Sequence, residues 1–180
     1  MTRFAGDEVL PGAQLVMDRD LTLAAPPGEV WPWLEQLGKG RAGWYLPRSL
    51  ERFVPRSRRA TRSLDERWLG LKVGDQIPDW GPGDPSFELI ARVEPRHLVY
   101  WSQRPRRPRR GGQREPLRLT WALVLSPVDG GRTHLHLRLR AVLGRRPGPL
   151  VRSGGGAIDL ATVWLMGRGL DERLRPAETR

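Results

Sequence analysis

Residues 157–167 read AIDLATVWLMG, and the reading of this stretch decides the fold. Only Asp159 and Thr162 are polar in it, so as a helix it is apolar around most of its circumference. A bilayer span takes about 20 apolar residues, and this run is much shorter. It therefore reads as a helix buried on several sides. Beyond it Leu170 and Leu174 continue one apolar stripe, while Arg168, Asp171, Glu172 and Arg173 turn to water, as in a helix whose C-terminal part emerges. The expected helix covers most of 158–174. Such an element needs something that wraps it, and a strongly curved sheet does that.

The sheet is written upstream as a period of two. Phe87, Leu89, Ala91 and Val93 alternate with Glu88, Ile90, Arg92 and Glu94 up to Pro95, and the next strand follows over 97–102. Leu119, Trp121, Leu123 and Leu125 alternate with Arg118, Thr120, Ala122 and Val124. Asp129-Gly130-Gly131 then turns the chain into 133–141, where Leu135, Leu137 and Leu139 oppose His134, His136, Arg138 and Arg140. Residues 75–80 form a weaker strand ended by Gly81-Pro82-Gly83, and 20–24 a short first strand. Between these two, Val30, Trp33, Leu34 and Leu37 share one helical face from Pro26-Pro27 to Gly38. Pro32 inside that helix predicts a kink or a start later than Pro27. Leu46, Leu50 and Phe53 predict a second, short helix. The architecture is α+β: an antiparallel sheet of about six strands wrapped around a long C-terminal helix, with two short helices after the first strand.

A chain of 180 residues fits one domain over 1–180, with 1–18 read as an N-terminal extension. Without cysteine there is no disulfide framework, thiolate nucleophile or Cys-based metal site. Residues 1–17 lack the apolar stretch of a signal peptide and no run approaches a membrane span, so a cytoplasmic location is expected. The net charge of +11 equals the arginines of two acid-free segments, five within 52–62 and six within 104–114. The second is expected to be an exposed basic hairpin loop. Both segments alternate Arg with Pro and Ser rather than with aromatics, so they lack the stacking platform of single-strand binders. A nucleic-acid or anionic-surface partner is the third-ranked reading.

The residues resemble the SRPBCC superfamily, the START-like or Bet v 1-like helix-grip domains that include polyketide cyclases and lipid-transfer proteins, in its uncharacterised bacterial branch. The likeness is carried by GDEVLPG at 6–12, by APPGEVWPWL at 25–34 leading into QLG at 36–38 and RAGWY at 41–45, by LKVGD at 71–75, and by TWA at 120–122 before DGGRT at 129–133. Residues 26–45 are its specific part. It implies a helix-grip fold with an internal cavity, and departs from the family pattern in both Arg segments.

The pocket is expected between the dry strand faces (Phe87, Leu89, Trp121, Leu123, Leu135, Leu137) and the inner side of the last helix (Ile158, Ala161, Leu165), with Trp44 and Tyr45 at its mouth. The eight tryptophans suit a lined cavity, since each brings large apolar area and one polar handle. Trp33 reads as core; Trp44, Tyr45 and Trp121 read equally as lining or core. Gln36 and Arg41 could contact a ligand or hold a turn. Asp159 could act as an acid or base, but a carboxylate near a helix N-terminus is also stabilised by the dipole alone. His134 and His136 point to one side of their strand beside Arg138 and Arg140, with no carboxylate nearby in sequence, and read as a solvated face rather than a metal site. His97 reads as a surface residue near a turn. No G-x-S-x-G, P-loop or H-E-x-x-H is present. The expected function is binding of a small hydrophobic or amphipathic molecule (lipid, polyketide or isoprenoid-like), without cofactor or metal; a cyclase or dehydratase on the same scaffold is the alternative. Neither ligand identity nor oligomeric state follows from these residues.

Overall fold

A computed structural model describes residues 4–80, 83–106, 115–143 and 149–175, and of 149–159 the backbone alone. Six strands form a single antiparallel sheet in the order β1-β6-β5-β4-β3-β2. They are β1 (Leu15–Leu23), β2 (Gln76–Pro78), β3 (Ser86–Val93), β4 (His97–Arg104), β5 (Leu117–Val128) and β6 (Arg132–Val142). Helices α1 (Pro27–Gln36) and α2 (Arg48–Glu51) follow β1, and α3 (Pro149–Leu174) closes the fold. The α+β, helix-grip architecture read from the sequence is the one observed.

Several boundaries differ from the expectation. The first strand begins at Leu15, so it takes in part of the segment read as an extension. α1 starts at Pro27 with Pro32 inside it, so the later start is not seen. α2 is only four residues long, and Leu50 and Phe53, expected on its buried face, are exposed. α3 begins nine residues before the expected Ile158 and includes the Gly154-Gly155-Gly156 run. At about 1.5 Å per residue its 26 residues span ~39 Å.

α3 is also less enclosed than its composition suggests. Val163, Met166 and Leu170 are buried, but Leu160 and Trp164 are 56% and 52% exposed, with the Arg168 guanidinium over the Trp164 ring. The helix is held at its C-terminal half. There, a Cβ on Gly169 would lie 2.6 Å from the Leu46 carbonyl carbon, and one on Gly167 would lie 3.0 Å from the Leu21 methyls. Glycine at these two positions lets the helix backbone sit directly on the 45–46 loop and on β1. Arg173 then closes the joint. Its side chain has no exposed surface, and it donates to the carbonyls of Thr61, Leu46 and Gly169 and to Glu51, which also pairs with Arg62.

The outer face of the sheet corrects the reading of the histidine row as solvated. In the β1–β6 register Asp18 lies opposite Arg138 and Asp20 opposite His136. His136 Nδ1 is 2.8 Å from Asp20 and Nε2 is 3.1 Å from Asp18, while Arg138 Nε donates to Asp18 at 2.6 Å. Residues 4–10 cover this row. Phe4 stacks on His136 with ring centroids 4.2 Å apart and lies under Arg138, and Asp7 accepts from Arg138 and Arg140. His136 and Arg138 are buried as a result.

Candidate ligand cleft

Three consecutive inner-face positions put a ring row on the sheet: Phe87 on β3, Tyr100 on β4 and Trp121 on β5, with Tyr100 paired to Trp121 in register. Across from this row stands the loop after α1. Gly38 and Gly43 bond to each other backbone to backbone, both with positive φ, and fold 38–43 into a tight turn. A Cβ on Gly43 would come 3.0 Å from the Ala60 Cα, so this turn also needs glycine for its packing. The turn delivers Trp44 over the row, stacked on Trp121 at 6.2 Å and edge-on to Trp80 at 6.1 Å.

The space between them is a narrow, partly open cleft of about 40 Å³. Leu34, Leu37 and Gly38 form one side, Ile77 through Trp80 another, and Phe87, Tyr100, Trp121 and Leu123 the floor. Its polar features are few. Asp79 is held by Arg104, whose guanidinium also lies over Phe87. Burial pushes the Tyr100 phenol well above its ordinary range, so it stays a neutral hydroxyl. Trp44 Nε1 is buried and has no hydrogen-bond partner. The same holds for Trp31 Nε1, but Trp31 does not line the cleft.

Of the residues expected to line a pocket, Trp44, Phe87, Trp121 and Leu123 come together here. Leu89, Leu135 and Leu137 are buried in the core without reaching the cleft. Tyr45 corrects its expected place at the mouth: it is fully buried, donates to the Trp33 carbonyl at 2.8 Å and lies under Arg173. Among the described residues the helix bounding the cleft is α1, and none of α3 lines it. α3 rests on β1 and the 45–46 loop, while α1 packs on β5 and β6 and, with the loop after it, walls the cleft over Phe87, Tyr100 and Trp121. Ala161 is exposed and Leu165 half-buried, neither of them in the cleft wall, while the side chains of Ile158 and Asp159 lie outside the described residues. Gln36 spends its amide on the Ser63 carbonyl and the Asp65 N–H, so it holds a turn. Arg41 donates to the Glu35 and Trp68 carbonyls and lies over the Trp68 ring.

Ile77 through Trp80, Tyr100, and Leu34, Leu37 and Gly38 at and just beyond the end of α1 were missed. Tyr100 alternates in phase with Leu98 and Ser102, a signal that could have found it. Trp80, two residues past a three-residue strand, gave none.

The Arg segments are partly built into the fold. Arg62 bridges Glu51 and Glu172, Arg59 donates to the Val54 and Arg52 carbonyls, and Arg104 holds Asp79. The bulk of the predicted basic loop, 107–114, lies outside the described residues. Among the described residues no group of three or more His, Cys, Asp or Glu is placed to hold a metal ion, and no helix is long and apolar enough to cross a membrane.

No protein-family profile matches this chain, and no curated protein matches it. Solved structures do. Hypothetical protein jhp0584 from Helicobacter pylori aligns with a TM-score of 0.61 over 97% of this chain and 96% of its own, at 10% identity. Protein MLL2253 from Mesorhizobium loti aligns at 0.54 over 88% and 98%, at 16% identity. A protein from Arthrobacter aurescens aligns at 0.53 over 91% and 88%, also at 16% identity. At such identities the likeness is one of fold, and the fold is the helix-grip class.

Proposed function

We propose that this chain is a START-like domain of the SRPBCC type that binds a small hydrophobic or amphipathic molecule in the cleft under Trp44. The observation that carries the reading is the cleft's wall: Trp44, Trp80, Phe87, Tyr100 and Trp121 meet there, and the Trp44 indole N–H is buried with nothing to donate to. A buried donor left unpaired costs about 1–3 kcal/mol, a cost that an acceptor on a ligand would remove. Aromatic walls with a few fixed polar groups are what orient a small ligand.

Binding is favoured over catalysis by the state of the lining. The Asp79 carboxylate already accepts from Arg104, and burial keeps the Tyr100 phenol protonated, which leaves no free general base among the described lining groups. The test is organic extraction of the purified protein followed by mass spectrometry, with the extracted compound added back. A compound that returns unchanged and quenches the tryptophan fluorescence supports the reading. A compound returned chemically altered would replace it with the cyclase or dehydratase alternative.

A further inference from the structure

The cleft has a neighbour. Lys39, Gly40, Arg41, Gly43, Ser57, Arg58, Arg59 and Trp80 surround a second, wider depression of about 500 Å³. Trp80 belongs to both, and the 38–44 turn is the wall between them: Gly38 and Trp44 face the aromatic cleft, Lys39 through Arg41 and Gly43 the trough. One depression is lined mainly by rings and aliphatic carbons, with one carboxylate, Asp79, held by Arg104. The other carries four cationic side chains and no carboxylate.

The polar groups around this shared wall that lack partners are all donors. Trp44 Nε1 and Arg41 Nε are both buried and unpaired. Among the described residues Arg58 has no ion-pair partner, and Lys39 meets only Asp84, whose side chain is 96% exposed. An exposed pair of that kind contributes little. A ligand that answers donors on one side and aromatic faces on the other is an acceptor-rich anion joined to an apolar ring or chain.

We infer that the two depressions form one bipartite site for an amphipathic anion. Its ring lies against Trp44, Trp80 and Trp121, and its carboxylate, sulfonate or phosphate rests in the Lys39–Arg58 trough. The inference rests on the proposed binding function and specifies its ligand class. Trp80, 48% exposed, is the side chain over which such a molecule would bend.

A matched pair of probes tests it: anilinonaphthalenesulfonate and its uncharged parent, phenylnaphthylamine, titrated into the full chain at low and at moderate salt. The anionic probe is expected to bind more tightly at low salt, with the difference shrinking as salt screens the trough. Lys39→Ala combined with Arg58→Ala should weaken the anionic probe roughly 5- to 10-fold and leave the neutral one unchanged. Arg56→Ala removes one positive charge from the 52–62 segment that carries Arg58, but outside the trough, and should change neither. Trp121→Ala should weaken both. Inorganic phosphate at matched concentration should displace the anionic probe poorly, because it lacks a ring. Equal binding of both probes, insensitive to the double variant, would overturn the bipartite site while leaving the apolar cleft standing. So would efficient displacement by phosphate alone, which would mark an ion site independent of the rings. If neither probe binds the native protein, the cleft reading falls as well.

Discussion

Trp44 and Tyr45 are neighbours in sequence and were expected to share one role at a pocket mouth, yet the fold sends them to opposite fates. Tyr45 is buried against Trp33, its hydroxyl donates to a backbone carbonyl, and the Arg173 guanidinium covers its ring. Trp44, one residue earlier, stacks across a cleft and leaves its N–H without a partner. Hydrophobicity does not separate them. What separates them is whether the polar handle of each ring is satisfied by the protein, and this divides a structural joint from a candidate site.

Arg173 is where the contrast breaks most heavily. Its buried charge is met by three carbonyls and Glu51, and burial lowers its pKa. Arg173→Met strands the partly buried Glu51–Arg62 pair and three carbonyls. It should cost about 3–5 kcal/mol in chemical denaturation, the range for removing one partner of a buried pair. Probe binding per folded molecule should be unchanged, because the joint lies outside the cleft. A loss of under 1 kcal/mol would mean that the joint is not what anchors α3.

On the cleft side, Trp121→Ala is expected to cost less than the ~3–5 kcal/mol of a fully packed Trp truncation, since one face of its ring already borders open space. It should also widen the range of apolar probes accepted. Full cost with unchanged probe binding would make Trp121 ordinary core and remove the cleft's floor. The strand bearing it was legible from its alternation, as were β3, β6 and the glycine turns, because a half-buried antiparallel strand announces its period in six or eight residues. The site was less legible. Phe87, Trp121, Leu123 and Trp44 were named, but they were paired with α3: the apolar 157–167 segment reads as buried on several sides, whereas Leu160 and Trp164 are exposed. Nothing in a one-dimensional pattern says which of two helices walls the cleft over Phe87, Tyr100 and Trp121. The carboxylates opposite His136 and Arg138 were missed because they sit more than a hundred residues away, on a strand read as starting at Asp20.

That outer face extends the contrast, since its carboxylates are met by His136, Arg138 and Arg140, whereas the Trp44 N–H of the cleft has no partner. Burial works against the Asp7 carboxylate, but the Phe4 N–H and the guanidinium groups of Arg138 and Arg140 outweigh it and hold its pKa below the ordinary value. A depressed folded-state pKa stabilises the fold above the unfolded value of about 4, and the stabilisation is lost as pH falls through the folded value. Asp7→Asn should therefore cost about 1–2 kcal/mol at neutral pH. The two stability curves should converge as the solution is acidified below about pH 4. Denaturation across that range checks it, with amide exchange at residues 4–10 reporting whether Phe4 leaves His136. A pH-independent gap would assign the effect to packing and not to charge.

The smallest effect on stability is the most informative, and it returns to the adjacent rings. Tyr45→Phe removes a donor that the Trp33 carbonyl uses, so a loss of about 1 kcal/mol is expected with no change in ligand or probe affinity. Trp44→Phe removes an N–H that no protein group uses, and it keeps an aromatic face over Trp121. Its stability should change little, because the desolvation cost of an unpaired donor is relieved as some ring area is lost, and these two contributions oppose each other. Its affinity for an acceptor-bearing ligand should fall by about tenfold, the equivalent of one hydrogen bond of ~1.4 kcal/mol. An apolar probe without an acceptor should bind Trp44→Phe as well as the native protein. If instead Trp44→Phe destabilises as Tyr45→Phe does and leaves both affinities alone, the two rings are alike after all, and the unpaired indole does not mark a site.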